Sequence, residues 1–143
     1  MTIWSQFWRW FGRAKARSPH LQRGDLGEVA ARNHLCSQGM KFLIANFRHE
    51  RGEIDLILRD GESLVFVEVK TRSSGGWTRP AAAVNSRKKR ILSKTALAYL
   101  RQVRLLAVTF RFDVVEVLME GDVVCEIRHL PNQFPLDRSY RYG

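Results

Sequence analysis

Apolar residues recur along this chain in two rhythms, every three or four residues in some stretches and every second residue in others, which predicts helices and strands in turn. From Asp25 onward, Leu26, Val29, Ala30 and Leu35 share a helical face. Asp25 takes the N-cap position, Glu28 falls three residues later where a capping box places its acid, and Gly39 stops the helix. Strands follow at about 41–48, 53–59 and 63–71 in an antiparallel meander, with Asp60-Gly61 as the hairpin turn. After Ser73-Ser74-Gly75-Gly76 and Pro80, a second helix over about 85–103 carries the stripe Leu92, Ala96, Tyr99 and Val103. A Val- and Phe-rich run at 107–118, a turn at Glu120-Gly121-Asp122 and a last strand at 123–129 complete the pattern. A strand, helix, strand crossover makes a parallel pair, so the expected class is α/β, with a mixed central sheet flanked by helices.

Length and charge refine this. At 143 residues the chain is one domain's worth, enough to bury about two-thirds of its unfolded surface. The folded domain is expected over 24–130, after an N-terminal extension and linker (1–23) and before an irregular tail (131–143). The formal net charge is +10, unevenly placed: residues 69–112 hold eleven Lys or Arg and no acid, and residues 1–24 hold five basic residues and no acid. Basic surface gathered in one segment, beside acids gathered in another, suits a polyanion handled with the help of a metal. A charge kept for solubility, or a simple RNA binder, would show the same excess.

Other chemistries are set aside by residue type. Cys36 and Cys125 lack C-x-x-C spacing and read as buried thiols of a reducing compartment, so a cytoplasmic protein is expected. His20, His34, His49 and His129 form no H-x-H or H-x-x-x-H pattern, which argues against a histidine metal site. At the N-terminus Trp4, Phe7, Trp8 and Phe11 alternate with Arg9 and precede Arg13, Lys15 and Arg17. That segment has no continuous apolar run of a signal peptide or membrane span. It reads as a mobile extension packing on the core ahead of two equal alternatives, an aromatic and basic strip touching nucleic acid and a membrane-surface anchor.

The informative chemistry lies in Gly52-Glu53-Ile54-Asp55 and Val67-Glu68-Val69-Lys70. A two-residue period sends Glu53, Asp55 and Ile57 to one face of the first strand, opposite Ile54, Leu56 and Leu58, while Leu64, Phe66, Glu68 and Lys70 share a face of the next. Folding symmetrically about Asp60-Gly61 pairs residues whose numbers sum to 121, so Glu53 would face Glu68 and Phe66 would face Asp55. Opposed like charges destabilise a strand pair, so a positive group is expected between them. Lys70 could supply part of it and a divalent cation the rest, since hard cations favour carboxylate oxygens. A solvated acidic face on an edge hairpin is the competing reading of the same residues.

The residues Gly27-Glu28, Asn46-Phe47-Arg48, Gly52-Glu53-Ile54-Asp55-Leu56-Ile57, Phe66-Val67-Glu68-Val69-Lys70-Thr71-Arg72, Lys88 and Arg111-Phe112-Asp113-Val114-Val115 resemble, in that order, the bacterial YraN-type family of predicted endonucleases. Those proteins are similar to small PD-(D/E)XK nucleases near the archaeal Holliday-junction resolvases. The resemblance covers about 24–130 and implies a restriction-endonuclease-like αβββαβ core. It implies Asp55 and Glu68 as metal-binding acids, the Val69 carbonyl as a further ligand, Lys70 as the catalytic lysine, and Glu28 as the helix-borne acid completing the site. The superfamily's Pro-Asp is here Ile54-Asp55, which keeps the acid.

The expected function is therefore magnesium- or manganese-dependent hydrolysis of phosphodiesters in nucleic acid, DNA first and branched or junction DNA within it. Arg72, with Arg87, Lys88, Lys89 and Lys94 of the second helix, is expected to bind flanking phosphates. Glu53 is left a supporting acid or the partner of a basic residue, and Asp113 a structural ion-pair partner of a neighbouring arginine. A homodimer is an expectation by analogy with the resolvases. The alternative is a non-catalytic nucleic-acid-binding adaptor that retains the fold, although acids facing a polyanion do nothing for binding alone.

Overall fold

A computed structural model describes residues 23–73, 84–105 and 107–140. The aromatic N-terminal segment, the Gly75-Gly76 loop with Pro80, and Tyr142 lie outside them. The elements are α1 (Arg23–Ser37), β1 (Lys41–His49), β2 (Gly52–Asp60), β3 (Ser63–Ser73), α2 (Ser86–Gln102), β4 (Thr109–Glu120), β5 (Val123–Phe134) and a 3-10 turn at Arg138–Tyr140. The five strands form one mixed sheet in the order β1-β2-β3-β4-β5. Only the β3–β4 pair is parallel, and α2 makes its crossover. This α/β architecture is compatible with a restriction-endonuclease-like core, with β5 added at one edge.

The sheet is covered on both faces. Under α2, Leu92, Ala96, Tyr99 and Leu100 pack on Phe47, Ile54, Ile57, Leu64 and Phe66. Under α1, Ala31 and Leu35 pack on Leu56, Leu58, Val65, Val67, Val115 and Val117. Leu64 to Val67 of the central strand are all buried, as a strand covered on both sides requires. Aromatic rings tie the α2 side together, with Tyr99 edge-on to both Phe47 and Phe66.

Several local expectations are corrected. Among the described residues α1 is helical from Arg23, so Asp25 lies within the helix, where an acid favours the helix dipole without capping it. Its end is as expected: Gly39 adopts φ +98° and the Met40 amide returns to the Leu35 carbonyl at 3.2 Å. In α2 the cap is Asn85, whose side chain accepts from the Lys88 amide at 2.9 Å. Cys36 and Cys125 are exposed, because they sit on the outer side of α1 and on the edge strand β5. Strand β5 runs on through Pro131 to Phe134, five residues past the expected end at 129. An edge strand tolerates the missing proline N–H, and Phe134 buries its ring in a 4.7 Å stack on Phe112.

The hairpin register also differs. Asp60 pairs with Ser63 and Leu56 with Val67, so the paired numbers sum to 123 and Gly61-Glu62 form the tip. A slip of two residues keeps each side chain on its face but changes its neighbour. Nor does strict alternation hold along β2: Ile54 packs with Ile57 under α2, whereas Leu56 and Leu58 pack under α1. The change falls at Asp55, where β2 leaves β3 and where Asn46 of the neighbouring strand has a left-handed backbone, φ +54°.

Candidate functional site

Strands β2 and β3 separate beyond Leu56 and Val67. Among the described residues, Gly52 to Ile54 pair with β1, and Glu68 to Ser73 pair with β4, leaving a fork between the two central strands. Facing backbone groups in a fork lack their sheet partners and are open to side chains. The Val69 amide accordingly donates to Asp55 Oδ2 at 2.7 Å. Extending the register by one residue brings Asp55, rather than Glu53, beside Glu68, which corrects the expected pairing.

Glycine lets the helices close on this fork. A Cβ on Gly27 would collide with Thr71 Oγ1 of β3, and one on Gly52 would collide with Thr95 Oγ1 of α2. The close approach at Gly27 carries the next residue, Glu28, to the acids of β2. Asn46 Nδ2 donates to Glu28 Oε2 and to Glu53 Oε1, both at 3.0 Å. Arg48 Nε donates to the other Glu53 oxygen at 3.1 Å, the basic partner foreseen as one option for that acid. Glu28, Glu53 and Asp55 each offer an oxygen, and the three lie within 4.8 Å of one another.

The electrostatics follow from that crowding. The Asp55 carboxyl is pushed up from the 3.8 of a free aspartate to about 8. Burial is the largest cause and the Glu68 charge the next; Glu28 and Glu53 add to them, and the Val69 N–H pulls the other way. The Glu68 side chain is 14% exposed, with Lys88 Nζ 3.3 Å from its Oε1. Its Oε2 is buried without a hydrogen bond among the described residues, which costs on the order of 1–3 kcal/mol. Lys70 follows two residues later in β3, half-buried, with its Cα paired to that of Glu116 in β4. Glu116, which the sequence did not single out, is wholly buried, and neither carboxylate oxygen is hydrogen-bonded among the described residues.

The fork thus gathers Glu28 and Asp55, while Glu68 lies outside that 4.8 Å group, close enough for its charge to act on Asp55 and with Lys70 and Val69 on its own β3 segment. It brings Glu53 in as a full member and adds Asn46, which sequence reasoning quoted in a motif without a role. The available signal was an asparagine inside a strand, since asparagine is the non-glycine residue that most readily takes left-handed φ. Of the basic candidates, Lys88 meets a fork acid, with its Nζ 3.3 Å from Glu68 Oε1. Arg72 is half-buried further along β3, and Arg87 is exposed in the first turn of α2. Lys89 lies 5.7 Å above the Phe134 ring, and Lys94 pairs with Glu50, because successive residues of a helix point in different directions. Asp113 is a structural partner as expected: it accepts from Arg111 Nε at 3.1 Å and from the Asn132 amide at 2.9 Å, with His129 Nε2 at 2.7 Å.

The donor set is one a hard divalent cation favours, all carboxylate oxygen in a partly desolvated cleft. A cation would satisfy the buried Glu68 oxygen and offset the charge that keeps Asp55 protonated.

No helix among the described residues is long and apolar enough to cross a membrane. The model of an uncharacterised protein family, UPF0102, matches residues 27–117. A UPF0102 protein of Trichlorobacter lovleyi is 44% identical over 114 residues, covering 79% of this chain and 90% of that protein. One from Geobacter metallireducens is 45% identical over 113 residues, 79% of this chain and 92% of its own. One from Geotalea daltonii is 40% identical over 124 residues, 87% and 98%.

Proposed function

This chain belongs to the uncharacterised protein family UPF0102, and we propose that it is a metal-dependent endonuclease that hydrolyses phosphodiester bonds in DNA. One observation carries the reading: the fork collects Glu28 of α1 with Glu53 and Asp55 of β2, while β3 sets the Glu68 charge beside Asp55 and its Val69 amide grips that acid. A merely solvated acidic face has no need to bury a carboxyl so deeply that it keeps its proton to about pH 8. The order of groups, Asp55 and then Glu68-Val69-Lys70, resembles that of PD-(D/E)XK nucleases.

Glu28, Glu53 and Asp55, with Glu68 and the Val69 carbonyl beside them, would hold magnesium or manganese. Bound there, the metal would supply an activated water and neutralise charge on the scissile phosphate. The remaining work falls to the chain's own side chains. Lys70, two residues from Glu68 on one strand, would orient the attacking water or bind the phosphate oxygen that gains charge. Lys88, held in the first turn of α2 by the Asn85 cap, would bind a neighbouring phosphate beside the helix N-terminus. The exposed Arg87 would add to it, and half-buried Arg72 would serve the strand on the β3 side.

The test is incubation with duplex, branched, flapped and single-stranded DNA and with RNA, in magnesium or manganese. We expect metal-dependent cleavage of DNA that is lost in Asp55→Ala and Lys70→Ala. Cleavage surviving both substitutions would sink the assigned residues, and tight binding without cleavage of any substrate would favour the adaptor.

A further inference from the structure

Asn46 meets the fork through two independent features. Its backbone is left-handed, φ +54°, in the middle of β1, a conformation that costs free energy in any residue but glycine and is borne most easily by asparagine. Its side-chain Nδ2 donates at 3.0 Å to two different acids, Glu28 on α1 and Glu53 on β2. The contacts fix the amide this way round: carboxylate oxygens accept, so reversal would set Oδ1 against two of them. In the orientation adopted, Oδ1 is buried and, among the described residues, without a hydrogen-bond partner. The fork therefore keeps a donor between Glu28 and Glu53 at the expense of an unpaired oxygen.

We infer that Asn46 is the positioning residue of the carboxylate cluster: its NH2 group stands in for the cation between Glu28 and Glu53 in the metal-free protein, and yields those oxygens when a divalent cation arrives. The inference rests on the metal-dependent reading above and goes beyond it, since it assigns a role to a residue outside the acid and lysine set. Two carboxylates on separate elements repel unless something positive lies between them. The amide dipole performs that task weakly enough to be displaced by an ion of two charges. Because the same oxygens serve both, whatever the amide contributes to the metal-free fold is subtracted from cation affinity.

Asn46→Gly tests this cleanly, because glycine keeps the left-handed backbone and removes only the amide. Unfolding temperatures of the full chain are measured in EDTA and in saturating Mn2+, and Mn2+ binding is measured by calorimetry. The variant is expected to unfold several degrees lower in EDTA, to regain most of that loss in Mn2+, and to bind Mn2+ about tenfold more tightly. Asn46→Asp, which replaces the donor by a further acid, is expected to show the larger gap between EDTA and Mn2+. An equal loss in both solutions, weaker Mn2+ binding by Asn46→Gly, or variants unfolded under both conditions would make Asn46 a structural residue only and overturn the inference. A wild-type chain that takes up no Mn2+ would overturn the metal reading and this inference together. Wild-type uptake, with Asn46→Gly no tighter, would overturn this one alone.

Discussion

The main-chain amide of Val69 donates to the Asp55 carboxylate at 2.7 Å, so the strand that carries Glu68 and Lys70 holds the acid of the strand it has just left. This bond spans the fork where sheet pairing between β2 and β3 has ended. It replaces a strand–strand hydrogen bond with one that fixes an acidic side chain. The same opening that frees backbone groups lets three elements bring carboxylates together.

Asp55 makes the metal-free protein sensitive to pH. A carboxyl raised from 3.8 to about 8 on folding keeps its proton in the native chain where the unfolded chain has released it. The Asp55 contribution to stability without metal therefore falls as pH rises from about 4 to about 8 and levels off above that. Asp55→Asn retains the acceptor for the Val69 amide and removes the ionisation. Its thermal stability in EDTA is expected to match wild type near pH 4 and to exceed it at pH 8.5 by a few kcal/mol (order of magnitude). A variant less stable than wild type at pH 8.5 would contradict the buried, crowded carboxyl.

Cation uptake should carry the opposite slope. Binding must release the Asp55 proton at any pH below about 8, so Mn2+ affinity is expected to rise roughly tenfold per pH unit between about 6 and 8 and then flatten. Calorimetry in buffers of different ionisation enthalpy would count the proton released. In Asp55→Asn the affinity should be lower throughout and its dependence on pH over this range much reduced.

Gly27 sets the approach of α1 to β3. Adding a methyl there drives it into Thr71 Oγ1, so Gly27→Ala is expected to destabilise the chain by about 1–3 kcal/mol and to weaken Mn2+ binding by moving Glu28. Thr71→Ala in the same chain removes the obstructing hydroxyl and should restore most of both. A double-mutant cycle with no coupling between the two positions would mean that this contact does not place the helix.

Asp113 anchors the far edge of the sheet. It is buried and bonded to Arg111, His129 and the Asn132 amide, so Asp113→Ala leaves those groups without their shared acceptor. A loss of about 3–5 kcal/mol in chemical denaturation is expected, with Mn2+ affinity of the folded fraction unchanged. A large change in that affinity would place Asp113 in the candidate site instead of the framework.

The sequence alone determined the elements and supplied most of the candidate residues. Two apolar rhythms located two helices and five strands, because backbone period dictates which residues can be buried together. Acid, lysine and acid-free basic runs, together with the family pattern, singled out Glu28, Asp55, Glu68, Lys70 and Lys88. Local spacing could not supply the hairpin register, since slips of two residues satisfy the same alternation and only packing of Leu56, Leu58, Val65 and Val67 under α1 selects one. Nor could it show that β2 and β3 part at Leu56 and Val67, which depends on how each strand pairs with its outer neighbour. That parting brings Asp55 beside Glu68, and with α1 closing at Gly27 it draws Glu53 and Asn46 into one cluster with Glu28. Which carboxylates share a few ångströms is a property of strands and helices meeting in space, and so it was decided by the tertiary structure.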